Sequence, residues 1–137
     1  MSEQAVSHRA TGAFDVKLTP QPGDAGTGLG RMAIEKQFRG DIEGRSQGEM
    51  LTAMTAVSGS AAYVAVERVS GTLHGRSGTF ALQHTGSMNR GRPSLTITVV
   101  PDSGTDELSG LSGRMTIDMS SGNHDYVFDY TIDQPSR

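Results

Sequence analysis

Along most of this chain apolar and polar residues alternate one by one, the period of a strand with one face in a core and the other in water. Glycine, proline and short Ser/Asn-rich stretches cut the alternation into eight segments, roughly 11–19, 29–39, 42–54, 60–73, 79–89, 94–101, 113–121 and 124–132. No 3.6-residue apolar period persists for three turns, so no long helix is expected. Thr105–Leu111 has room for one helical turn, and PQPGDAGTG (20–28) reads as a loop. The pattern predicts one all-β domain over 11–133, with a disordered tail at 1–10 and a short tail at 134–137. Eight strands closed on themselves leave no exposed edge, so the expected architecture is an eight-stranded antiparallel β-barrel.

Three hairpins can be read in register. A two-residue turn at Gly122-Asn123 pairs Met119 with Tyr126, Ile117 with Phe128 and Met115 with Tyr130. It gathers the large apolar residues on one face and Asp118, Asp125 and Asp129 on the other. A turn at Gly75-Arg76 pairs Gly71 with Phe80, Val69 with Leu82 and Glu67 with His84, the Phe80 ring covering a strand glycine. A three-residue loop at Arg39-Gly40-Asp41 pairs Phe38 with Ile42, Lys36 with Gly44 and Ile34 with Ser46. Large residues then face small ones, which fills a narrow barrel.

Composition narrows the class further. A chain of 137 residues is one ordinary domain and long enough to bury a core. The absence of cysteine removes disulfides and thiolate metal sites. Eighteen glycines suit a protein of tight turns and bent strands. The formal net charge is −3, and Arg76, Arg90 and Arg92 form no basic stripe interleaved with aromatics, so nucleic acid is not an expected partner. No apolar run approaches the ~20 residues of a membrane span, and the polar first ten residues lack a signal-peptide core. The expectation is a cytoplasmic protein with neither a nucleic-acid nor a membrane partner.

The candidate chemistry lies in polar residues on the apolar phase: Lys36, Tyr63, Glu67, His84, Tyr126 and Tyr130. Burial raises a Glu pKa and lowers those of Lys and His unless the groups pair. Glu67 and His84 are expected cross-strand neighbours, either a buried structural pair or a general acid and base acting on a bound molecule. Lys36, opposite Gly44, has space to reach inward or can snorkel to the barrel mouth, and the mouth is the expected place. Met32, Met50, Met88, Met115 and Met119 either fill the core or line an adaptable apolar pocket. The candidate ligand contacts are Lys36, Met50, Tyr63, Phe80, Met115, Tyr126 and Tyr130.

Other motifs lead nowhere. Gly44-Arg45-Ser46-Gln47-Gly48 fits G-x-S-x-G, but it lies inside a hairpin and lacks the strand-to-helix turn that activates such a serine. Gly26-Thr27-Gly28-Leu29-Gly30 lacks the spacing of a dinucleotide loop or P-loop. His8, His74, His84 and His124 show no zinc-ligand spacing, so no metal and no cofactor is expected. Asn89–Pro93 is a solvated turn carrying two cations.

The stretches KQFRGDIEGRSQGEML (36–51), AAYVAVERVSGTLHGRSGTFALQHTGSMNRG (61–91) and VVPDSGTDELSGLSG (99–113) resemble a family of small bacterial proteins of unassigned function. The resemblance covers about Ala10 to Ile132. It implies an allene oxide cyclase-like, eight-stranded antiparallel barrel and no established activity. Three functions remain open. The first is a binding module that holds a small, largely apolar molecule. The second is a cofactor-free isomerase or cyclase using Glu67 and His84. The third is a structural or partner-binding barrel, with outward Val64 and Val66 as a homo-oligomeric contact.

Overall fold

The computed structural model describes residues 7–22 and 27–133. Eight antiparallel strands close into one barrel in sequence order: β1 (His8–Pro20), β2 (Leu29–Gly40), β3 (Ile42–Met54), β4 (Ala61–Leu73), β5 (Arg76–Asn89), β6 (Arg92–Val99), β7 (Leu111–Asp118) and β8 (His124–Ile132). The alternation read from sequence is the wall's inside/outside alternation, as in Ala65, Glu67 and Val69 buried between exposed neighbours. The expected boundary at residue 10 moves outward, because Ala10 is fully buried and His8–Ala10 pair with Phe128–Tyr130 of β8. The tail expected at 134–137 and most of the one at 1–10 lie outside the described residues. Among the described residues no helix is long and apolar enough to cross a membrane.

All three expected registers are displaced by two residues, a shift that keeps every side chain on its face. In the central hairpin the turn is His74-Gly75, both at positive φ (48° and 80°), as a type I′ turn requires. Phe80 therefore faces Val69, Gly71 faces Gly78, and Glu67 and His84 face Leu82 and Ala65. In the last hairpin Asp118 pairs with Asp125 and Ile117 with Tyr126. The Ser120 N–H donates to Asp118 Oδ1 and Ser121 Oγ to Asp125, so side chains replace the ladder and Met119 leaves the strand. In the first hairpin Phe38 faces Gly44 and Lys36 faces Ser46. A Cβ at Gly44 would sit 2.2 Å from the Ser70 carbonyl oxygen, which backbone cannot relieve. Gly44→Ala is expected to lose about 1–3 kcal/mol of stability, read from the urea midpoint.

The two ends of the barrel differ. One end carries the β2–β3 and β4–β5 turns and the β6–β7 connection, and it is packed. Phe14, Phe38, Phe80, Leu82, Ile97, Met115, Tyr126, Phe128 and Tyr130 belong to a single buried cluster there. The expected helical turn appears as a single 3-10 turn, Asp106–Leu108, which folds Leu108 into that cluster. Tyr126 locks the β2–β3 turn: its hydroxyl accepts from the Ile42 N–H at 2.8 Å and donates to the Arg39 carbonyl at 3.0 Å. His74 Nδ1 shares a hydrogen bond with the Tyr130 hydroxyl.

Among the described residues the opposite end is open. Leu18, Met54, Met88 and Leu95 lie on the interior phase of their strands yet are 42–68% exposed. Met32, Met50 and Tyr63 below them are half-buried. The β6–β7 ladder is the shortest in the wall, with Ile97↔Met115 and Thr98↔Arg114 as its pairs, so Leu95 has no strand partner on that side.

Candidate functional site

Four consecutive strands each contribute one inward side chain to a single row: Lys36 on β2, Ser46 on β3, Glu67 on β4 and His84 on β5. Lys36 and Ser46 are directly opposite, while Glu67 faces Gly48, one inward position further along β3. Ser46 is small and Gly48 has no side chain, so Lys36 reaches across β3 to β4. Gly48 is fixed by this crowding, since a Cβ there would meet the Val66 carbonyl oxygen at 2.2 Å.

Glu67 is the centre of the row and is 1% exposed. Its Oε2 accepts from Lys36 Nζ at 2.7 Å and from His84 Nε2 at 2.5 Å, and its Oε1 accepts from Ser46 Oγ at 2.6 Å. Burial pushes the Glu67 pKa up, but the hydrogen bond from His84, the charge and hydrogen bond of Lys36 and the hydrogen bond of Ser46 outweigh it. The result is a pKa lowered to about 2. An ionised carboxylate only accepts, so the proton between it and His84 belongs to Nε2. The Lys36 ammonium also lies over the Phe14 ring, 4.6 Å from its centroid.

Tyr63 stands between this row and the open end. Its ring lies against Gly86, where a Cβ would meet Tyr63 Cε1 at 2.3 Å, and its centroid is 6.3 Å from that of His84. Burial and the negative charge of Glu67 both raise its pKa, so the phenol keeps its proton at neutral pH.

The structure thus brings Glu67, His84 and Lys36 together, although the first two are diagonal rather than opposite. Lys36 does not snorkel to the mouth; its side chain is 6% exposed because Glu67 supplies a counter-charge inside. Met50 and Tyr63 face the open end. Phe80, Met115, Tyr126 and Tyr130 instead fill the packed end, on the far side of the ionic row from the mouth. The G-x-S-x-G pattern points away from Ser46, yet its inward phase between Gly44 and Gly48 is a sequence signal for its place in the row. Phe14, also inward in phase, is the second site residue that sequence reasoning misses. On the outer wall Leu51, Val64 and Val66 form an exposed apolar patch, with Leu51 directly opposite Val64 and the Arg31–Glu49 ion pair beside them.

A closed antiparallel barrel, packed at one end and open at the other above a buried ionic row, defines the class of small eight-stranded β-barrels with a polar interior. Residues 10–130 match the family described as "Protein of unknown function (DUF3224)", and the chain belongs to that family. It is similar to a solved crystal structure, a protein with unknown function from the DUF3224 family of Shewanella oneidensis MR-1. The two are 52% identical with a TM-score of 0.90, the match covering 95% of this chain and 100% of that one. No curated protein matches the chain. The family resemblance read from the sequence is thereby established, and so is the barrel it implied.

Proposed function

We propose that this barrel is a binding module for a small molecule with an apolar body and one polar end. The observation that carries the reading is the exposure of Leu18, Met54, Met88 and Leu95, which their strand phase would otherwise bury. An apolar interior left open at one end gains free energy when a ligand covers it. Methionines dominate the lining, so the mouth adapts to ligand shape. Below it His84, held by Glu67, and Tyr63 offer polar groups for the ligand's head.

Titration with the neutral apolar dye N-phenyl-1-naphthylamine tests this. The dye's fluorescence is expected to rise on binding the wild type. Met50→Lys, which places a charge in the mouth, is expected to weaken binding at least about tenfold. Val66→Lys on the outer wall is expected to leave it unchanged. The reverse pattern, with Val66→Lys abolishing binding and Met50→Lys doing nothing, places the apolar site on the outer patch and favours the partner-binding alternative.

A further inference from the structure

Among the described residues, His84 Nδ1 and the Tyr63 hydroxyl are neighbouring interior-wall atoms with no hydrogen-bond partner. His84 uses only Nε2, on Glu67. Every buried side-chain nitrogen or oxygen among the described residues has a partner. An atom without one is therefore in contact with open space, and for two inward-facing side chains that space is the barrel interior. Lys36 is already committed to Glu67 and to the Phe14 face. With Nε2 donating to Glu67, the tautomer that acts as a base has its lone pair at Nδ1, while Tyr63 presents an O–H. This part of the wall thus offers a base and a donor side by side, on rings whose centroids are 6.3 Å apart.

A carbonyl compound with an acidic C–H beside the carbonyl is complementary to that pair. We propose that the barrel transfers a proton on an enolisable ketone or enone with an apolar body, with His84 Nδ1 as base and the Tyr63 O–H as donor to the carbonyl oxygen. The inference rests on the reading of the mouth as a binding site. His84 Nδ1 takes the proton from the carbon next to the carbonyl, and that C–H electron pair becomes the C=C bond of the enolate. The carbonyl π pair moves to oxygen, where the Tyr63 O–H stabilises it. The imidazolium is held by Glu67 on its Nε2 side, and Glu67 is a positioning residue throughout. Return of the proton to the same carbon exchanges it with solvent; return to the far end of a conjugated system migrates the double bond. No electrons leave or enter, so no redox partner is needed.

The experiment is α-hydrogen exchange of 2-nonanone in D2O, followed by proton NMR, with saturation-transfer difference on the same samples to report binding. Wild type is expected to exchange the α-protons well above the buffer rate. His84→Gln is expected to fall at least about 100-fold. Tyr63→Phe, which removes only a hydroxyl and leaves the packing on Gly86, is expected to fall about 100-fold as well while still binding the ketone. Circular dichroism checks that both variants fold, and Tyr63→Phe carries the test if His84→Gln does not. Saturation transfer with wild-type exchange at the buffer rate overturns the proton transfer and leaves the binding reading intact. Exchange by folded variants equal to wild type also overturns it. Absence of saturation transfer overturns the binding reading and the proton transfer together.

Discussion

Glu67→Gln is expected to lose about 3–5 kcal/mol of stability, because it leaves the Lys36 ammonium buried without its counter-charge. Lys36 and Glu67 are both buried, and the carboxylate that neutralises the ammonium lies 2.7 Å from it. The glutamine amide can still accept a hydrogen bond but carries no charge. The double variant Lys36→Met, Glu67→Gln removes both charges and is expected to recover most of the loss, since desolvating two ions costs nearly what their attraction returns. Urea unfolding of the three proteins measures both quantities. A loss below about 1 kcal/mol in the single variant contradicts the burial of this pair.

The second large effect is on pH. The folded Glu67 pKa of about 2 lies below its ordinary value of 4.5, so the folded protein holds this carboxylate ionised where the unfolded chain protonates it. The stabilisation is complete above pH 4.5 and is lost as pH falls from there towards 2, by about 3 kcal/mol in all. Exposed acids contribute slopes of their own. The quantity to measure is therefore the difference between wild type and Glu67→Gln, from urea midpoints at about pH 7, 5, 4 and 3. The gap is expected to be widest near neutral pH and to narrow through the acid range. A gap that stays constant across that series contradicts the ionised state of Glu67.

The fold is legible in the sequence because a strand's side-chain period is two and each turn keeps that phase. The expected hairpin registers are off by two residues because turn chemistry, not phase, fixes the register. His74 occupies a positive-φ turn position usually given to Gly, Asn or Asp, and the Ser120–Ser121 hydrogen bonds extend the last turn past the Gly-Asn pair. The candidate site is legible in part for the same reason. Lys36, Glu67 and His84 stand out as polar residues on an apolar phase, and a two-residue slip changes a direct pair into a diagonal one without separating the side chains. Three things are not legible. The reach of Lys36 across β3 depends on Ser46 and Gly48 being small on the strand between. The role of Phe14 under the ammonium depends on barrel curvature. The division into a packed end and an open end depends on Leu108 plugging one mouth from a connection with no strand period of its own.

Ligand binding at the open end, above the ionic row, is tested most directly by intermolecular nuclear Overhauser effects between bound N-phenyl-1-naphthylamine and methyl-labelled protein. The dye is expected to give cross-peaks to the methyls of Met32, Met50 and Met88, with His84 ring resonances shifting on binding. Cross-peaks confined to Leu51, Val64 and Val66 on the outer wall contradict it.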